Sequence, residues 1–108
     1  MSQVIDEAAG EVFLSLVIPV FNEEESLPHL WAKIHGVLAV EDWAWEVVFI
    51  DDGSTDDTAQ RVQNFADPRI HLIRLPDNRG VSVARNLGLE RASGDIIAYL
   101  DTDNLWDK

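Results

Sequence analysis

Glu46-Val47-Val48-Phe49-Ile50-Asp51-Asp52-Gly53 decides the fold of this 108-residue chain. Its apolar residues run on without alternation, so the segment reads as a strand buried on both faces, as in a parallel sheet covered by helices. It ends in two aspartates and a glycine, which is turn chemistry. Three other segments share the design. Leu14-Ser15-Leu16-Val17-Ile18 is closed by Pro19, whose missing N–H cannot serve a ladder and so marks the strand's end. His71-Leu72-Ile73-Arg74-Leu75 runs to Pro76, and a fourth strand is expected over 95–100.

Helical patterns lie between these strands. Ser26 is placed to cap a helix whose inner face carries Leu27, Leu30, Trp31, Ile34, Val37 and Leu38 at three-and-four spacing. Ser54 or Thr55 can cap a second helix, with Thr58, Ala59, Val62 and Phe65 inside and Asp67-Pro68 as its stop. Asp77-Asn78-Arg79-Gly80 turns the chain into a third, carried by Val81, Ala84, Leu87, Gly88 and Leu89 and ended by Ser93-Gly94. The order β-α-β-α-β-α-β predicts an α/β fold, a Rossmann-like parallel sheet with helices on both faces and right-handed crossovers. Residues 1–12 mix Ala, Gly and acids without a period and are expected to form a flexible leader, with the α/β domain spanning 13–108.

Composition narrows the function classes. At 46% hydrophobic and 26% charged residues the chain has the makeup of a globular domain. At this length a single domain buries roughly two thirds of its unfolded surface. The net charge of -12, with eight Lys plus Arg, argues against nucleic acid as a partner, because a phosphate backbone needs a basic stripe. No cysteine is present, which excludes disulfides, thiolate metal sites and cysteine nucleophiles. No apolar run reaches membrane-span length and the N-terminus lacks a signal peptide's basic start, so a cytoplasmic location is expected. The inner face of a membrane stays open for a full-length protein.

In parallel α/β sheets ligands bind outside the carboxyl ends of the strands, and the unusual residues of this chain fall there. Pro19, Phe21, Asn22 and Glu23 follow the first strand; Asp51, Asp52 and Gly53 the second; Asn78, Arg79 and Gly80 the third; Asp101 and Asp103 the fourth. In an extended chain Asp101 and Asp103 project the same way, and two hard carboxylates at one spot repel unless a cation or proton lies between them. Oxygen ligands favour Mg²⁺, Mn²⁺ or Ca²⁺ over zinc or copper. Taken singly, each cluster also reads as an acidic helix start, a turn or a solvated acidic loop.

Together, Val17-Ile18-Pro19-Val20-Phe21-Asn22-Glu23-Glu24, Phe49-Ile50-Asp51-Asp52-Gly53-Ser54-Thr55-Asp56, Asn78-Arg79-Gly80, Ala84-Arg85-Asn86-Leu87-Gly88, Gly94-Asp95 and Asp101-Thr102-Asp103 resemble the nucleotide-sugar half of family 2 inverting glycosyltransferases, in order and spacing, over roughly residues 14–106. The resemblance implies the nucleotide-binding half of a GT-A fold. It implies that Pro19, Phe21, Asn22, Glu23 and Asp52 hold the nucleobase and ribose of a nucleoside diphosphate sugar, the uridine form being the expected one. It further implies that Asp52 accepts the base's ring N–H, that Arg85 approaches the diphosphate, and that Asp103, assisted by Asp101, holds Mg²⁺ or Mn²⁺ against both phosphates. Such a cation neutralises the departing diphosphate as the sugar–oxygen bond breaks. Family members continue past the paired aspartates into an acceptor-binding region that supplies the general base. This chain therefore reads as a donor-binding half, its acceptor unknown and its general base expected beyond Lys108.

A phospho-receiver domain and a haloacid-dehalogenase-like phosphatase also place paired acids after strands, but both need the pair after the first strand, which motif order here rejects. A noncatalytic nucleotide-binding or oligomerisation module, built on the same half-domain, is the alternative. His29, His35 and His71 share no ligand spacing and read as surface or partly buried residues. Trp31 is expected on the packing stripe of its helix, with Trp43 and Trp45 covering the edge of the second strand. An exposed fourth strand would allow a homodimer burying Tyr99, Leu105 and Trp106.

Overall fold

The computed structural model describes residues 11–102. The elements run β1 (Leu14–Val20), α1 (Leu27–Leu38), β2 (Trp45–Asp52), α2 (Thr58–Asn64), β3 (Ile70–Leu75), α3 (Val81–Arg91) and β4 (Ile96–Tyr99). All four strands pair in parallel, in the order β3-β2-β1-β4. This is the α/β parallel sheet expected from the continuous apolar runs. Asp103, Leu105 and Trp106, and the leader before residue 11, lie outside the described residues.

Strand β1 does not stop at Pro19. It continues to Val20, with Pro19 opposite Ile50 and Val20 opposite Asp51. The reason is one-sided. Val17 accepts from the Leu100 N–H on the β4 side, so alternation turns Pro19 to that side too, where β4 has already ended opposite Val17. A proline costs a ladder little where no acceptor faces its nitrogen.

The alternation of β1 and β2 divides the core. Ile18 and Val20 with Trp45, Val47 and Phe49 face α1 and α2, meeting Leu27, Leu30, Ile34, Leu38 and Val62. Val17, Val48 and Ile50 face α3, where Ala84 meets them. Trp31 lies against this core as its spacing predicts, stacked on Phe65 with centroids 5.4 Å apart. Three expectations need correcting. Val37 on α1 is exposed, the buried face of that helix being Leu27, Leu30, Ile34 and Leu38. Val81 and Leu89 are exposed too, because Ala84 and Gly88 bring α3 so close to the sheet that the larger residues beside them turn outward. Trp45 belongs to β2 and is buried, its ring covered by the Arg69 guanidinium 3.8 Å from the centroid. Helix α2 begins at Thr58 with Asp57 at its cap position, not at Ser54 or Thr55.

At the amino ends of the strands, the buried carboxylate of Glu46 gathers the structure. Its Oε2 accepts from the Ser15 hydroxyl (2.6 Å) and from the Ser93 N–H (2.8 Å), and Oε1 lies 3.2 Å from His71 Nε2. Arg91 can only donate, and it meets His71 Nδ1 at 2.9 Å; the ring proton therefore sits on Nε2 and points at Glu46. Burial raises the Glu46 pKa, but Ser15, Ser93 and His71 outweigh it and hold the group below the ordinary 4.5.

Candidate functional site

The opposite edge of the sheet, at the carboxyl ends of its strands, carries the predicted residues. Pro19, Phe21, Glu23, Asp52 and Asp101 share a cleft of about 270 Å³ with Asn78 and Thr102. Pro19 and Asp101 also line an adjoining recess of about 210 Å³, to which Arg85 and Tyr99 contribute. The sheet order places this junction beside β1, where the chain has gone one way to β2 and β3 and returns on the other side to β4. That is the topological switch point at which such sheets bind ligands.

Asn22 is the exception. With a φ of 52° it turns away from the cleft, and its Oδ1 accepts the Thr55 N–H at 2.9 Å. Its own N–H donates to the Ser54 hydroxyl at 2.8 Å. Neighbouring residues make the same exchange between the two loops. Glu23 N–H donates to Thr58 Oγ1 at 2.8 Å, Glu24 N–H to Asp56 at 3.3 Å, and Asp57 N–H to Glu24 Oε1 at 3.0 Å. The Ser54 and Thr55 side chains thus join loops and cap no helix. Burial works to raise the Asp56 pKa, but the Thr58 hydroxyl and N–H and the Glu24 N–H hold it below 3.8.

Asp52 is buried, and both its oxygens face the turn before α3. Oδ1 accepts the Arg79 N–H at 2.7 Å and Oδ2 the Gly80 N–H at 3.0 Å. Gly53 makes this approach possible: its φ is +78°, and a Cβ there would lie 2.2 Å from the Asp77 carbonyl carbon. Asp51, also buried, accepts the Ser54 N–H at 3.0 Å and lies 3.8 Å from Arg74 Nε. Glu23 likewise uses both oxygens, Oε1 for the Ser26 hydroxyl at 2.9 Å and Oε2 for the Thr102 hydroxyl at 2.8 Å. Ser26 occupies the cap position of α1, yet its hydroxyl serves Glu23 and no helix N–H. Arg85 lies over Tyr99, its guanidinium carbon 5.4 Å from the ring centroid. Arg79 pairs with Asp77 at 2.8 Å, leaving Arg85 as the arginine of these recesses.

Three carboxylates and one guanidinium make the cleft a poor host for a bare anion and a good one for an anion that arrives with a cation. Among the described residues no three Asp, Glu, His or Cys groups stand together as a complete metal cage. That fits Mg²⁺ or Mn²⁺, which are commonly held by one or two carboxylates plus substrate phosphates. Asp101 is exposed and lines both recesses. A larger recess, about 450 Å³, opens at the amino ends of the strands beside Glu41, Asp42 and Glu46, and the buried Glu46 is occupied by internal donors. Periodicity missed Thr102, which is buried. The available signal was its position inside Asp101-Thr102-Asp103.

The family model for glycosyl transferase family 2 matches residues 15–108. An Escherichia coli protein, WfgD, described as a UDP-Glc:alpha-D-GlcNAc-diphosphoundecaprenol beta-1,3-glucosyltransferase, is 36% identical over 96 residues, covering 89% of this chain and 37% of that protein. The crystal structure of S. aureus TarS 1-349 in complex with UDP superposes with a TM-score of 0.73 at 29% identity, over 85% of this chain and 28% of that one. The mannosyltransferase PcManGT of Pyrobaculum calidifontis, in complex with GDP-Man and Mn²⁺, gives a TM-score of 0.74 at 27% identity, over 86% and 28%. The chain thus spans about a third of the length of the curated relatives it matches.

Proposed function

This chain belongs to glycosyl transferase family 2, and we propose that its cleft binds a nucleoside diphosphate sugar, the uridine form first, together with Mg²⁺ or Mn²⁺. The observation that carries this reading is the meeting of Glu23, Asp52 and Asp101 with Arg85 at the carboxyl ends of β1, β2 and β4. Pro19, Phe21 and Asp52 would enclose base and ribose, and Arg85 would face the diphosphate. Asp101, with Asp103, would hold the cation. The bound cation supplies charge neutralisation of the leaving diphosphate. The residues of the chain orient the donor so that an acceptor hydroxyl attacks from the opposite side, with inversion. Two neighbours support the reading: TarS was crystallised with UDP and PcManGT with GDP-Man and Mn²⁺.

For the whole protein the reading is sugar transfer. The E. coli relative acts on a diphosphoundecaprenol, a lipid-linked acceptor. We therefore place the reaction in the cytoplasm at the inner face of a membrane; no helix among the described residues is itself long and apolar enough to cross one.

Calorimetric titration with uridine diphosphate, in Mn²⁺ and then in chelator, tests the proposal. Binding should be tighter with the metal than in chelator, and Asp103→Ala should remove the metal-dependent part. Equal binding in chelator, or in the variant, would sink it.

A further inference from the structure

We infer that Glu23 is a positioning residue, which acts through Thr102 to aim the neighbouring Asp101 carboxylate at the cation. The inference rests on the metal-dependent reading above.

Glu23 is fixed before its side chain does anything. Its N–H donates to Thr58 Oγ1 at 2.8 Å, on the first residue of α2. Its carbonyl accepts from the Ser26 N–H at 3.1 Å and the Leu27 N–H at 3.0 Å, at the start of α1. The carboxylate therefore leaves a backbone anchored to two helices. Its two oxygens meet two hydroxyls, Ser26 on one side and Thr102 on the other. A carboxylate engaged in this way faces protein donors, although Glu23 borders the cleft.

Thr102 stands at the other end of this contact. Strand β4 closes at Tyr99, and Leu100 makes a last ladder bond to Val17 at 3.0 Å. Past that point the backbone leaves the sheet, and Thr102, 4% exposed, is tied by its hydroxyl across 79 positions of sequence to Glu23. Asp101, next to it, is exposed to the cleft. One side chain turned inward thus fixes the loop from which the neighbouring carboxylate turns outward. An ionised acceptor makes such a hydrogen bond short and strong, so a loop without ladder support is still held in one orientation. A misaimed carboxylate loses cation affinity first, because Mg²⁺ and Mn²⁺ tolerate little departure from octahedral geometry.

The test uses Thr102→Val, Thr102→Ser and Glu23→Gln in the full chain. Calorimetry with uridine diphosphate is run with Mn²⁺ and in chelator, alongside the Mn²⁺ paramagnetic resonance spectrum and thermal unfolding. Thr102→Val should weaken Mn²⁺-dependent binding by roughly tenfold, the scale of losing one hydrogen bond to a charged group. It should also alter the bound Mn²⁺ spectrum while leaving the residual binding in chelator unchanged. Thr102→Ser, which keeps the hydroxyl, should restore both signals. Glu23→Gln, which keeps shape but not charge, should shift Mn²⁺ affinity in the same direction as Thr102→Val. Wild-type Mn²⁺ affinity and spectrum in both Thr102→Val and Glu23→Gln, whatever their melting temperatures, would overturn the inference and leave a mere fold staple. Equal loss with and without metal would overturn it too. A wild-type chain that binds equally well in Mn²⁺ and in chelator would instead refute the functional reading, before any substitution is made.

Discussion

Asp52 shows how one side chain can serve both the fold and the site. Its oxygens take the Arg79 and Gly80 N–H groups, so the turn before α3 is hung on the carboxylate that also borders the cleft. Asp52→Ala should cost about 1–3 kcal/mol of stability, the scale for donors left without a partner. It should also narrow the preference among uridine, guanosine and cytidine diphosphates. Urea unfolding and competitive titration measure the two effects separately: an unchanged preference would remove Asp52 from base recognition, and an unchanged midpoint would deny its hold on the turn. Glu46 makes a different prediction, on pH. Its pKa is lowered in the folded chain, so its contribution to stability is present above the ordinary 4.5 and is lost as pH falls through the lowered value. The stability gap between the wild type and Glu46→Gln should be widest at neutral pH and close on acidification below that value. A gap that stays constant from pH 7 to pH 3 would show that the network around Ser15, Ser93 and His71 does not tune this acid.

At the scale of elements, the strands were legible as apolar runs, clearest in β2, where burial on both faces leaves the run unbroken. The carboxyl-end cluster was legible because acids and glycines interrupt those runs at one edge. What stayed hidden was long-range. Nothing local to Glu46 indicates Ser15 or Ser93, and nothing local to Glu23 indicates Thr102. Asn22 has the composition of a site residue but serves the neighbouring loop, a choice made by a partner 33 positions away. Pro19 misled because a missing donor matters only when an acceptor faces it. In α3 the apolar spacing includes Val81 and Leu89 beside Ala84 and Gly88, whereas the contact with the sheet is made by the small residues. A Cβ on Gly88 would lie 2.4 Å from Val17 Cγ1 and 2.7 Å from Ile50 Cδ1. Gly88→Ala gains roughly 1 kcal/mol of helix propensity. Against that stands an overpacking cost of typically ~1–3 kcal/mol, since Val17 and Ile50 are fully buried and have no room to yield. The variant should therefore unfold at lower denaturant than the wild type, and a raised midpoint would mean that α3 can lift from the sheet without cost.

Across the whole molecule, packing and charge pull association in opposite directions. Strand β4 is an edge of the sheet, four residues long, with Ile96 49% and Tyr99 44% exposed. Beside it, on the α1 side, Leu14, Leu16, Leu30, Ile34 and Leu100 line an apolar groove of about 390 Å³. Among the described residues, helices α1 and α2 cover the rest of that face but leave this strip of it open. An unpaired strand next to an apolar groove is a template for another copy, and a two-fold pairing of β4 edges would close both copies at once. The net charge of -12 opposes this, and opposes larger aggregates more strongly, since repulsion grows with every copy added. The expected outcome is a monomer–dimer equilibrium that salt strengthens, because screening weakens the repulsion and leaves the apolar contact intact. Sedimentation velocity over a concentration series, at low and at moderate ionic strength, reads this directly. Ile96→Lys, which puts a charge on the exposed edge, should return the chain to monomer. A compact monomer at high micromolar concentration in both salts would show that β4 and its groove are tolerated bare, with no attraction for the charge to oppose.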